Sequence, residues 1–337
     1  MTLACYDDVT QASVASHVGK THLRTSSRWS HGSGRAAWLT GPPITATALP
    51  ISTVGHLPGG SAAGTLDAVA GFDWISLCTD YGYADGFVAA CHGVITRIAP
   101  QVRVLDVTHA IRPGDVRHGS VVLADTLRWL PPAVHVAVVD PGVGTARRGI
   151  ALVSGDAVLV GPDNGLLVPA ARALGAVAAA YELTSSSYRL PAVSATFHGR
   201  DIFAPAAAHL ACGVPPEALG PELDLASLVT LPAPVCQVHS DRLRAEVLAV
   251  DHFGNVALAA GAGELQALGL RTGATTTLQW PAGGQPVRLC TTFADAPPGD
   301  LVLLVDSAGH LALACRDSSA ARRTGLRPGT VVELIKR

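Results

Sequence analysis

Long apolar runs are missing from this sequence: no window approaches 18 unbroken apolar residues, which excludes a transmembrane helix from the reading. Charge is scarce, at 15% of residues, and nearly balanced, at -2 net. Such a chain offers no electrostatic footprint to nucleic acid or to an anionic membrane, so small molecules are the expected partners. The seven cysteines (Cys5, Cys78, Cys91, Cys212, Cys236, Cys290 and Cys315) are odd in number and scattered, with no CxxC pair. That pattern argues against a disulfide framework and a thiolate zinc site, and it suits a reducing cytoplasm. No GxGxxG follows the first strand, and Gly142 to Gly144 (GVG) reads as a turn rather than a dinucleotide cradle. The histidines form no HxH or HxxxH pair, and the DPG, PDNG and FHGRD segments give no metal-ligand spacing, so no metal and no other cofactor is expected.

What is present is a 337-residue chain with 48% hydrophobic residues and a mean hydropathy of +0.33, enough for two domains that each bury a core. Residues 1–71 are rich in Ser, Thr, Gly, Ala and Pro and hold no period for long, so they read as a mostly disordered extension or as sequence upstream of the true start. No apolar run of signal-peptide type follows a basic start. Met1 is the single methionine, so a start nearer Val69 requires a non-Met codon.

From Trp74 onward short apolar strands alternate with helical patterns, which predicts an α/β domain over 72–232 with a mostly parallel sheet and helices on both faces. Helices are predicted over Phe87–Pro100, Asp115–Leu130 and Leu167–Ala180. Four strands run into acidic turns at Asp80, Asp106, Asp140 and Asp163, and in a parallel sheet those ends share one edge. The stretch Val134–Ile150 is central: a strand breaks at Asp140-Pro141-Gly142, and Arg147 and Arg148 follow seven and eight residues later, within reach of the carboxylate if the loop turns back. A second polar cluster, SATFHGRDIFAP, gathers His198, Arg200 and Asp201 where a helix begins. Beyond Val235 seven alternating or β-branched runs between turn residues predict a smaller antiparallel β domain over 235–337, a sandwich or a barrel. Read singly, Asp80 and Asp163 also fit turn or helix capping, Asp201 a pair with Arg200, and His109 and His198 structural hydrogen bonding.

The segments TDYGYADGFVAACHGVI, DVTHAIRPGDVRHG, VHVAVVDPGVGTARR, VGPDNGLL, SATFHGRDIFAPAAAHLACG, VDHFGNV and the tail from TTFADAPPGD to LRPGTVVEL resemble, in order, those of the adenosine-forming S-adenosyl-L-methionine hydrolases. These enzymes are also called SAM hydroxide adenosyltransferases and are related to fluorinase and chlorinase. The resemblance implies an α/β domain followed by a β domain, no cofactor, and hydrolysis of S-adenosylmethionine to adenosine and methionine. It places the water-holding set on Asp140, Arg147 and His198, a ribose ligand on Asp80, and further substrate contacts on Asp85, Asp251, Asn255 and Ser307. It also implies a homotrimer with sites shared between subunits.

Two departures stand out. Arg316 and Asp317 occupy a segment that meets adenine in the hydrolases, which usually show an Asn there, and Gly114 stands where the halogenases carry a stacking Trp. Fluorinase has lost the counterparts of Asp140 and His198, and a carboxylate at Asp140 disfavours a halide by ~1–4 kcal/mol at about 4 Å. The competing readings are a halogenase and a non-catalytic binder of S-adenosylmethionine or adenosine. If the leading residues take no part in the fold, a chain beginning near Phe72 is expected to keep full activity and an unchanged melting temperature, measured side by side with the full chain.

Overall fold

In the computed structural model, which describes residues 71–336, two sheets are built one after the other along the chain. All but the last residue of the extension expected over 1–71 lies outside the described residues. The first sheet uses β1 (Trp74–Thr79), β2 (Arg103–Thr108), β3 (Val134–Val138), β4 (Gly149–Ser154), β5 (Ala157–Pro162) and β6 (Val177–Glu182), in the order β2-β1-β3-β5-β4-β6. Pairs β1–β2, β1–β3 and β3–β5 are parallel, while β4 runs antiparallel to both its neighbours. Helices α1 (Phe87–Ile98), α2 (Val116–Leu127), α3 (Val168–Leu174) and α4 (Ala204–Ala211) complete this part.

The period of two along each strand explains the layering. Ile75 and Leu77 of β1, with Val134 and Val136 of β3, pack with Cys91 and Ile95 of α1 and the alanine-rich face of α4. Their neighbours Cys78 and Ala137 face the other way and meet Leu123 and Leu127 of α2 and Ala170 and Ala171 of α3. A strand covered on both faces has no solvent side to keep polar, which is why β3 reads as a nearly continuous apolar run. One polar residue interrupts it: His135, buried, takes its Nδ1 to within 2.8 Å of Ser76 Oγ.

Helix α2 begins where Asp115 accepts from the His118 backbone N–H, and it ends at Leu127, short of Pro131. The predicted helix over Leu167–Ala180 stops at Leu174 instead, and the segment AAAYELT, whose sequence also reads as a strand, belongs to β6, which starts at Val177 and pairs with β4. Alanine prefers helix by at most ~0.7 kcal/mol per residue over ordinary alternatives. Leaving a buried backbone group without a partner costs ~1–3 kcal/mol, so pairing with β4 wins.

The second sheet comprises β7 (Cys236–Val238), β8 (Arg242–Val250), β9 (Val256–Gly261), β10 (Thr275–Trp280), β11 (Gly283–Leu289), β12 (Leu301–Val305), β13 (His310–Cys315) and β14 (Val331–Ile335), with short helices α5 (Ala262–Leu268) and α6 (Ala320–Thr324). Because β14 pairs with both β10 and β8, seven strands close into a barrel, and β7 is added outside on β8. Of the two expected forms the barrel is realised. The pairing is antiparallel except between β11 and β12, which run parallel. Leu243, Val247, Val256, Leu258, Leu278, Leu303, Leu313 and Leu334 fill its interior.

Helix α2 ties the two sheets together with its polar side. Arg117 reaches Glu246 of β8 at 3.1 Å and donates to Pro232 O, Arg128 donates to Ala308 O, and Asp125 meets His310 Nε2 at 3.0 Å. The Asp125 carboxylate holds the His310 pKa above its ordinary value. Its contribution to stability is therefore present below about pH 6.5 and is lost as pH rises through the folded value. Among the described residues no helix is long and apolar enough to cross a membrane.

His135 has the opposite sign. Burial pushes its pKa down to about 4, so between roughly pH 6.5 and 4 the unfolded chain binds a proton that the folded chain refuses. Stability present above pH 6.5 is lost across this window. Thermal melting of the His135→Gln variant is expected to show a shallower fall from pH 6.5 to 4 than the parent, whatever its absolute melting temperature.

Candidate active site

The chain leaves β1 to build β2 on one side of it and returns to build β3 on the other. Between β1 and β3 the order of strands reverses, and such a switch point opens a crevice at the carboxyl ends of the strands. Asp80 follows β1 directly and Asp140 stands two residues beyond β3, so both acids sit at that crevice. A cavity of about 330 Å³ fills it, lined by Asp80, Tyr81, Gly114, Asp140, Phe197 and His198 among others.

The loop from Pro141 to Arg148 turns back on itself. Val143 N–H donates to Asp140 O, and Thr145 donates to Gly142 O through both its backbone N–H and its hydroxyl. Gly144, at φ +76°, lies flat against the next loop: a Cβ there would stand 2.3 Å from Ala195 O. That close approach brings His198 beside Arg147. Gly199 is confined in the same way, since its Cβ would fall 2.0 Å from the Tyr81 hydroxyl.

Arg147 Nε lies 2.9 and 3.0 Å from the two carboxylate oxygens of Asp140, and Nη2 also donates to Oδ2. Nη2 is in addition 2.9 Å from His198 Nδ1. Guanidinium nitrogens only donate, so Nδ1 is the acceptor and the neutral imidazole carries its proton on Nε2. Burial, and then the Arg147 charge, hold the His198 pKa below its ordinary value, which agrees with that neutral form. The guanidinium carbon sits 5.2 Å from the centre of the Phe203 ring. Asp140, Arg147 and His198 thus form one continuous chain, with side-chain exposures of 5% and 11% for the acid and the base.

Asp80 Oδ2 accepts from Gly114 N–H at 2.8 Å, which aims the loop after β2 at the cavity. Tyr81, Phe87 and Phe197 make an aromatic wall with ring centres 5.2 to 6.0 Å apart. Burial raises the Tyr81 pKa, so its hydroxyl stays protonated. Neither Tyr81 nor Phe197 was expected from the sequence, where aromatic residues beside a turn carry no periodic signal.

Other expected site residues lie elsewhere. Asp85 is exposed and outside the cavity lining. Asp251 accepts from the backbone and side-chain nitrogens of Asn255 in the turn between β8 and β9, and Ser307 is exposed in the turn between β12 and β13. None of these three lines the cavity of its own chain. Asp163 is engaged by Arg148 and by Val229 N–H, and the buried Asp201 by Arg200 and Ser194 N–H, so both acids brace loops. Asp106 lies within β2 rather than beyond its end. Arg316 spends its guanidinium on Ala294 O and Ala296 O, and Asp317 takes a left-handed φ of +58°. A larger cavity of about 510 Å³, between the start of α2 and the barrel, is lined by Arg112, His118, Arg322 and Arg327 and contains none of the Asp-Arg-His chain.

The SAM hydroxide adenosyltransferase N-terminal domain matches residues 75–220, and the C-terminal domain of the same family matches residues 245–333. This chain belongs to that family. A protein of Salinispora arenicola (strain CNS-205), named (R)-S-adenosyl-L-methionine hydrolase, is 55% identical over 263 residues, covering 77% of this chain and 97% of its own. A fluorinase of Actinopolyspora mzabensis is 29% identical over 293 residues, covering 78% of this chain and 97% of its own. Among solved structures, that of an uncharacterized conserved protein from Thermotoga maritima superposes with a TM-score of 0.73 at 33% identity, covering 78% of this chain and all of the other. The shared fold agrees with the α/β sheet and β domain read from the sequence.

The electrostatics of the Asp-Arg-His chain can be read in solution. In Arg147→Met the lowering influence on His198 disappears and the neighbouring Asp140 carboxylate is left unpaired, so the His198 pKa is expected to rise. Histidine NMR titration of parent and variant checks this; an unchanged value would mean the imidazole does not meet the guanidinium.

Proposed function

We propose that this chain hydrolyses S-adenosyl-L-methionine to adenosine and L-methionine. The observation that carries the reading is the continuous Asp140–Arg147–His198 chain beside Asp80 at the switch-point crevice. The family and the 55% identical hydrolase support it.

In this reading Asp80 accepts from the ribose hydroxyls and holds the 5′ carbon toward Asp140 and His198. A water donates one hydrogen to Asp140 and accepts from His198 Nε2–H, which leaves a lone pair free for the carbon. As the C–O bond forms, the C5′–S bond breaks and its electron pair returns to sulfur. Methionine leaves as a neutral thioether, so no acid is required at the leaving group. The water's proton passes toward Asp140, and Arg147 stabilises the developing hydroxide. Holding the water in line removes up to ~7–11 kcal/mol of entropic barrier in favourable cases.

Asp251, Asn255 and Ser307 cannot serve the cavity of their own chain as it stands, so we assign them to the cavity of a neighbouring copy within a homotrimer. Sedimentation showing an active monomer would contradict that assembly. The six described cysteines are all free, which supports a cytoplasmic setting.

The pairing with Arg147 leaves Asp140 with less net charge than a lone carboxylate, so simple repulsion is not what separates water from halide here. The distinction is complementarity: the site offers an acceptor oxygen as well as donors, and water uses both whereas a halide uses only donors. Incubation with S-adenosylmethionine in high chloride, followed by chromatography, is expected to yield adenosine and no halogenated nucleoside. 5′-Chloro-5′-deoxyadenosine at a comparable rate would favour the halogenase reading, and binding without turnover the non-catalytic one. Asp140→Asn is expected to lower kcat by about 10²–10⁴-fold; unchanged turnover would remove Asp140 from the mechanism while leaving the activity standing.

A further inference from the structure

Behind the Asp80 loop, on the α1 side of β2, three side chains converge that the proposed reaction does not use. His92 projects from α1, Asp106 from β2, and His109 from the turn after β2. His92 Nε2 lies 2.8 Å from Asp106 Oδ1, and His109 Nε2 lies 3.0 Å from the same oxygen. One ligand atom from each residue falls within 4.8 Å of the others.

The His109 ring is 1% exposed, and its Nε2 makes no hydrogen bond: it is close to Asp106 but not aligned with it. A buried nitrogen whose one polar neighbour is a carboxylate it does not align with is incompletely satisfied, which is uncommon. The other ring nitrogen is held, with Nδ1 2.7 Å from Thr79 Oγ1, and the Tyr83 ring packs edge-on at 5.1 Å. The imidazole is therefore clamped with Nε2 turned toward the point that His92 and Asp106 also address. A hydrogen bond needs its donor aligned on one acceptor, whereas a cation needs several lone pairs meeting at a common centre.

We propose that His92, Asp106 and His109 form a binding site for a single late first-row divalent cation of the zinc type. Two imidazole nitrogens and one carboxylate oxygen match the preference of such ions, and they provide too few oxygens for calcium or magnesium. Ligand atoms each ~2.1 Å from a metal stand at most ~4.2 Å apart, so a small rotation of His92 completes the set. His92 and Asp106 are 34% and 28% exposed, which gives the ion an entry path and room for a water as fourth ligand. The Thr79 contact orients the buried ligand as supporting hydrogen bonds do in metal sites. Such a site joins α1 to β2 immediately behind Asp80 and acts as a staple rather than as part of the Asp140–Arg147–His198 chain. No linear spacing announces it, because His92 and Asp106 are brought together only when α1 packs on the sheet.

The test uses the full chain, stripped with a chelator and dialysed against zinc chloride or, separately, cobalt chloride. The expected result is one equivalent of metal per chain at this site, visible d–d absorption with cobalt, and a melting temperature raised by zinc. His92→Ala, at a half-buried position outside the catalytic set, is expected to weaken uptake at least about tenfold and abolish the thermal shift, and Asp106→Asn to do the same. Binding, absorption and melting are read without turnover, so they stand apart from the hydrolase assignment. Absence of stoichiometric uptake would overturn the site. So would uptake that survives both variants, which would assign the metal to other residues, such as His17, His22, His31 and His56 in the leading segment.

Discussion

The guanidinium of Arg147, held between the Asp140 carboxylate and the His198 imidazole, is the interaction on which the rest of this site depends. A charge with so little access to water must be paired, and removing one member of a buried pair costs about 3–5 kcal/mol because the other is left uncompensated. The pairing accordingly draws two loops together that are separated by fifty residues of chain. Gly144 permits the contact by lying against Ala195 without a side chain between them. The same donor-only guanidinium selects the tautomer of His198, so a question of proton placement is answered by the chemistry of its neighbour.

Around that pair the sheet provides position. Strands β1 and β3 are buried on both faces, and their rigidity places Asp80 and Asp140 at one crevice. Helix α2 spends its polar side on the barrel through Arg117, Asp125 and Arg128. Ion pairs with partial access to solvent contribute modestly and depend on pH and salt. The apolar layers on the two faces of the sheet are therefore the main source of stability in this part of the chain, and the polar ties mainly fix the orientation of the barrel against it.

Tyr81 and Phe197, which line the crevice and pack edge-on against one another, give it an apolar side. Charge–charge and charge–dipole interactions strengthen in such surroundings.

The sequence by itself determined the elements whose signals are local: the apolar runs of β1 and β3, the capped start of α2, the acids at strand ends, and the seven runs that became the barrel. It also carried the ordered motifs by which the family is recognised. Three things were decided only by tertiary structure. The point where helix α3 ends depended on the pairing of Val177–Glu182 with β4, which outweighed alanine's helix preference. The parallel β11–β12 pair and the closure through β14 depended on contacts far apart in the chain, and no period of two encodes them. The meeting of Arg147 with His198, and of His92 with Asp106, depended on loops and a helix docking onto a completed sheet. Residue type and spacing register what a residue does to its neighbours along the chain; which distant partner it meets is a property of packing, and it exists only once the core has formed.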